Sequence, residues 1–125
     1  MTPVSDSSLN ALATDLATAL DRYEQDVEDL VRAWPDAERY RRVTESMERV
    51  RACSALLPRL SVRCVELLIA HAELMQGLWD SREARQPTEA VWPAVEQHRS
   101  CIFALREACL TIMAATHRCG HPSGA

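Results

Sequence analysis

The chain has 125 residues, 47% hydrophobic and 26% charged, which suits one domain with a buried core and excludes wholesale disorder. Its net charge of −4 disfavours general nucleic-acid binding, because that function needs a basic face. Aromatic residues make up 5% and glycines number only 3, so a β-sandwich or barrel is disfavoured. Alanine, leucine, glutamate and arginine dominate, which predicts an all-α fold.

The N-terminus and the cysteines bear on the cellular location of the protein. The N-terminus has no basic start followed by an apolar core, and no apolar run approaches the ~20 residues that span a bilayer. All 14 basic residues are arginine, as is common in high-GC bacterial genomes. Five cysteines are an odd number without regular spacing, which favours reduced thiols. We therefore expect a soluble, cytoplasmic bacterial protein without a membrane partner. The alternative is export without a cleaved signal peptide, which the Ser/Thr-rich first ten residues would suit.

A first helix is predicted over residues 8–33, ending where Trp34-Pro35 disfavours helical backbone. Residues 1–34 hold seven acidic residues and two arginines, a formal charge of −5. The acidic surface is either a charge match to the next helix or a docking and steering surface for a basic partner. The apolar residues of this helix recur every three or four positions: Leu9, Leu12, Leu16, Leu20, Tyr23, Val27 and Leu30.

A second helix is predicted over residues 36–57, and Pro35 just before it can occupy the first helical position. Acidic residues lie near the positive end of this helix. If the chain reverses at Trp34-Pro35, Glu28 and Asp29 come near the arginines of this helix. The sequence thus predicts ion pairs between the first two helices, using Arg39, Arg41 and Arg42.

Pro58 leaves two architectures open. A proline inside a helix costs ~3 kcal/mol, which favours a corner between two helices. The segment LLPRLS has no Gly, Asn or Asp, however, and the apolar spacing continues through it. The corner gives an antiparallel four-helix bundle in a single domain, residues 1–125. The alternative is three helices, with residues 36–84 forming one long central helix kinked at Pro58 in a dimer.

The third helix, predicted over residues 60–84, is apolar on nearly all sides. One face is typical of a bundle core. The second is formed by Val62, Val65, Ile69 and Ala72 and is either buried in the bundle or a surface for a protein partner, including a second copy of the chain. These four residues are the predicted partner-binding site.

The fourth helix is predicted over residues 92–118, starting near Pro93 and stopping at Cys119-Gly120, with flexible tails at residues 1–6 and 120–125. In an antiparallel arrangement, the helices bring Cys/His side chains level with one another. The alternative function is therefore a metal-binding or thiol-redox bundle, since these are ligands for zinc or copper. Its residues are Cys53, Cys64 and Cys109 at one end and His71, His98 and Cys101 nearer the middle.

No nucleophile–base–acid set and no glycine-rich phosphate loop is recognisable, so we predict that the protein is not an enzyme and needs no cofactor. Free cysteines pack as small apolar residues, and they and single histidines are more often core residues than metal ligands. The function that the sequence favours is a non-enzymatic helical interaction module, an adaptor, chaperone-like or regulatory protein that acts through apolar helix faces and forms a homodimer.

Overall fold

A computed structural model describes residues 6–84 and 88–120, and side chains within residues 7–82 and 90–115. This part of the chain forms four α-helices and contains no β-strand. The predicted all-α, four-helix fold is therefore confirmed, although most of the two predicted tails lies outside the described residues. The helices are α1 (Asp6–Ala33), α2 (Ala37–Ala55), α3 (Ser61–Ala84) and α4 (Trp92–Gly120); short 3₁₀ turns at Pro58–Leu60 and Thr88–Val91 precede the last two.

The turn between α1 and α2 uses an aspartate cap. The Asp36 side chain accepts a hydrogen bond of 2.9 Å from the backbone N–H of Arg39, so α2 begins after Asp36. The prediction that Pro35 opens this helix is wrong. A carboxylate at this position accepts a hydrogen bond from an otherwise unpaired N–H of the first turn. Its negative charge also interacts favourably with the positive end of the helix dipole.

Pro58 forms a corner. After α2 ends at Ala55, Leu57 leaves the helical region of backbone space, and Pro58 is the first residue of the 3₁₀ turn. Tyr40 and Trp79 then meet, with ring centroids 5.8 Å apart. A continuous helix would separate these residues by about 60 Å. The chain therefore folds back at Pro58, and the alternative of one long kinked helix is wrong.

The helices do not pack equally. α1 packs along both α2 and α4, and α3 packs along α4, whereas α2 and α3 touch only slightly. Gly77 lets the Val91 side chain approach α3 closely, because a Cβ at position 77 would lie 3.2 Å from Cγ1 of Val91. The core runs through the whole bundle, and its largest fully buried residues are Tyr23, Leu16, Leu20, Leu30, Leu57, Leu67, Leu74, Leu78, Ile102, Leu105, Val43 and Val50.

The predicted ion pairs between α1 and α2 are wrong. Arg39, Arg41 and Arg42 pair with carboxylates of their own helix or its cap, and Glu28 pairs with Arg32 within α1. Exposed arginines on a helix reach partners three or four residues away with little loss of side-chain freedom.

The ion pairs that link α1 to another helix use Arg106 of α4. This side chain bonds to Asp21 at 2.8 Å and to Glu24 at 2.9 Å. The acidic surface of α1 is therefore matched in part by α4.

Within the described residues, no helix is long and apolar enough to cross a membrane.

Candidate functional site

The two apolar faces of α3 have different surroundings. Its inner face, which includes Leu67, Leu74 and Leu78, is fully buried in the bundle. The residues predicted to bind a partner lie on the surface instead, with Val62 70%, Val65 52% and Ile69 55% exposed, and Ala72 exposed as well. The alternative that both faces are buried inside one bundle is therefore wrong.

These residues belong to a longer row. The exposed positions of α3 that recur at alternating steps of three and four carry one polar and five apolar side chains; we call this row the outer stripe, and it consists of Val62, Val65, Ile69, Ala72, Gln76 and Trp79. The outside of a bundle helix is normally polar. The outer face of α2, for comparison, carries charged residues such as Arg41, Glu45 and Glu48. An apolar row at these positions indicates a surface that another molecule covers.

One border of the outer stripe is acidic. Glu66, Glu73 and Asp80 directly follow Val65, Ala72 and Trp79 in the sequence, and Arg63 follows Val62; all four are exposed. Asp80 accepts a hydrogen bond of 2.8 Å from Gln76. Within the described residues none of these three carboxylates forms an ion pair, unlike most acidic residues of α2.

The stripe ends in a cluster of three aromatic rings. Trp79 packs edge to face against Trp34, with centroids 4.9 Å apart, and against Tyr40. The Arg82 guanidinium lies 5.4 Å from the centre of the Trp79 ring. A cavity of about 280 Å³ adjoins the cluster, and the buried indole nitrogen of Trp34, which lines it, has no hydrogen-bond partner among the described side chains. The cluster joins the end of α1, the start of α2 and the end of α3.

A polar network lies in the centre of the bundle. The Tyr23 hydroxyl of α1 is 2.7 Å from Nδ1 of His71 in α3 and 2.6 Å from Nε2 of His98 in α4. The hydroxyl has one proton, so it donates to one imidazole and accepts from an N–H of the other. Because the facing nitrogens are Nδ1 of His71 and Nε2 of His98, both imidazoles hold the same tautomer, either both Nε2–H or both Nδ1–H. The network links three helices at one point.

Burial keeps all three groups of this network neutral. Burial raises the pKa of the Tyr23 phenol well above its usual value. It lowers the pKa of His98 to about 4, with smaller contributions from His71 in its protonated form and from the positive charge of Arg99. Burial also lowers the pKa of His71. Since His98 is only 2% exposed, the neutral imidazole is the form that the folded bundle accommodates.

The sequence prediction brought His71 and His98 together but assigned no role to Tyr23. That residue was part of the apolar stripe of the first helix, and a tyrosine in a core needs a hydrogen-bond partner for its hydroxyl. This requirement is the signal that could have pointed to the network.

The described cysteines are not joined by disulfide bonds. Cys53, Cys64, Cys101 and Cys109 are free thiols, and Cys119 lies where side chains are not described. Cys101 accepts a long hydrogen bond of 3.7 Å from Gln97 and is not part of the tyrosine–histidine network. Burial raises the pKa of Cys109 to about 11 and raises those of Cys53 and Cys101, which disfavours the reactive thiolates. Among the side chains described, no three His, Cys, Asp or Glu residues are placed to hold a metal ion.

A larger groove of about 710 Å³ lies between α1 and α2. Its walls carry three acidic and three basic residues, so it offers no net charge to select a ligand. They are Asp15, Asp26, Glu45, Arg22, Arg42 and Arg49.

Comparison of the chain with protein families, with curated proteins and with solved structures found no match.

Proposed function

We propose that this protein is a non-enzymatic helical interaction module that binds a protein partner through the outer face of α3. The observation that carries the proposal is the exposure of Val62, Val65 and Ile69 in one row. Burying a valine or isoleucine side chain contributes roughly 1.5–3 kcal/mol, so a partner covering this row gains several such contributions. The core of the protein is complete without these side chains, which leaves them available for binding.

The thiol-redox or metal-binding alternative has less support. No three of the described His, Cys, Asp or Glu side chains are placed to hold a metal ion, and burial raises the pKa of the three thiols for which a shift is resolved. Its two histidines are engaged by Tyr23. The outer face of α3 has no such competing explanation.

The test is site-specific photo-crosslinking in the native cells of the protein. A photoreactive amino acid at position 69 should yield a discrete protein adduct, because this side chain is exposed within the proposed site. The same amino acid at position 48 is the matched control, since Glu48 is 64% exposed on the outer face of α2, which barely touches α3. An adduct at position 69 that Val65→Arg abolishes is the expected result. Absence of any discrete adduct at position 69, or equal adducts at both positions, would overturn the proposal.

A further inference from the structure

We infer that the outer stripe binds one amphipathic helix of another protein, and that this helix carries lysine or arginine along one flank. The inference rests on the proposed function and adds the chemistry of the partner. Three features of α3 support the inference: the spacing of the stripe residues, the single polar residue among them and the acidic border of the stripe.

The spacing of the stripe matches a helix partner. Its residues alternate in steps of three and four from Val62 to Trp79, which is the repeat that lets two helices stay in contact along their length. The row spans about 25 Å at the standard helix rise, so the partner needs about two and a half heptads. A sheet edge or an extended peptide would follow a different period and would meet only some of these side chains.

Gln76 is the polar residue of the outer stripe. Its side-chain amide donates to Asp80, on the acidic border, and is exposed. A single polar residue within an apolar helix seam favours one register of the partner over shifted ones. The row is therefore suited to one defined alignment.

The acidic border sets the charge of the partner. In paired helices, the residue directly after each seam position that ends a step of three faces the flank of the opposite helix, whereas the residue after each other seam position, such as Arg63 after Val62, lies farther out. On α3 the facing residues are Glu66, Glu73 and Asp80, and none forms an ion pair with any other described residue. Basic side chains on the facing flank would complete three charge pairs, which steer association and fix orientation.

A second copy of the chain fits this border poorly. If two α3 helices pair in antiparallel fashion, the acidic border of one faces the acidic border of the other. If they pair in parallel, the carboxylates face Ser61, Leu68 and Met75 on the opposite border, and Arg82 of that border lies beyond the position that faces Asp80. Neither arrangement pairs the three carboxylates, whereas a basic partner helix pairs all of them.

The experiment is a display selection on the purified full chain. The library presents helices of three heptads with apolar seam positions, and each flank position is varied among Lys, Glu, Gln and Ser. We expect helices enriched in lysine along one flank. Those helices should bind an Ile69→Arg variant at least tenfold more weakly, because the stripe is interrupted. They should bind a Glu66→Gln/Glu73→Gln variant roughly 2- to 30-fold more weakly, as expected for two lost exposed charge pairs.

The control variant Asp15→Asn/Glu107→Gln removes the same charge from exposed positions on α1 and α4. Equal weakening by this control would mean that net charge alone selects lysine, and the inference would fail. Selected helices without a lysine flank that still need Ile69 would overturn the inference and leave the proposed function standing. A wild-type dimer that Ile69→Arg dissociates would replace the inferred partner with a second copy. Selected helices that bind the Ile69→Arg variant as tightly as wild type would remove the stripe as a binding surface and contradict both proposals.

Discussion

Tyr40, near the start of α2, and Trp79, near the end of α3, meet edge to face with ring centroids 5.8 Å apart. This contact fixes the direction of α3 relative to α2 and makes Pro58 a corner. Because α3 packs along α4 and barely touches α2, its opposite side stays open to solvent. The same reversal that completes the bundle thus creates the outer stripe.

At the corner formed by Pro58, Leu57 packs into the core and its neighbour Leu56 does not. Leu57 is 1% exposed, whereas Leu56 is 58% exposed. We expect Leu57→Ala to lower the free energy of unfolding by about 2–5 kcal/mol, through lost burial and a cavity. Leu56→Ala is the matched control and should change stability little. Urea denaturation followed by circular dichroism measures both, and equal effects would show that the corner is not packed as described.

The central network predicts the effect of removing the Tyr23 hydroxyl. Tyr23→Phe keeps the ring in the core but removes the hydroxyl that partners Nδ1 of His71 and Nε2 of His98. The expected loss is about 1–3 kcal/mol in the free energy of unfolding, the usual cost of an unsatisfied buried polar group. The control is Tyr40→Phe, which keeps its ring in the aromatic cluster. A Tyr23→Phe protein as stable as wild type would contradict the network.

The same network predicts a stability loss in acid. His98 has a folded pKa of about 4, below its unfolded value near 6.5, so only the unfolded state binds a proton between these values. Stability from this residue is fully present above pH 6.5 and falls as pH drops toward 4, by about 3 kcal/mol in all. His71, whose pKa is also lowered, acts in the same direction.

Thermal denaturation from pH 7 to pH 4 measures this loss, and a His98→Gln variant is its control. That variant should be less stable at pH 7 but should lose less stability over the same range. An identical pH slope for both proteins would show that His98 is not buried as a neutral imidazole.

The link between α1 and α4 predicts a salt-dependent contribution from Arg106. Its side chain is 26% exposed and bonds to Asp21 and Glu24 together. We expect Arg106→Met to lower the free energy of unfolding by about 1 kcal/mol at low salt, and by less in 1 M NaCl, which screens surface charges. Arg41→Met should have a smaller effect, because Arg41 pairs only within α2 and is 60% exposed. A loss for Arg106→Met that does not depend on salt would indicate lost packing instead.

Local patterns in the sequence were sufficient for several features. Apolar spacing and the Trp34-Pro35 and Pro93 signals predicted four helices close to their observed bounds, because helix periodicity and proline restrictions act within a few residues. The apolar second face of α3 was also visible in the sequence as Val62, Val65, Ile69 and Ala72. The predictions of function, partner and location are not decided by these patterns.

Only the tertiary structure decided what these helices face. The sequence placed the acids of the first helix opposite Arg39, Arg41 and Arg42, but these arginines bond within their own helix and Arg106 of α4 supplies the link. Tyr23 joined two histidines that lie 48 and 75 positions away in the chain. The packing of distant segments decides which of the two apolar faces of α3 is buried and which polar groups meet in the core. A pattern within one helix carries no information about the helices that pack against it.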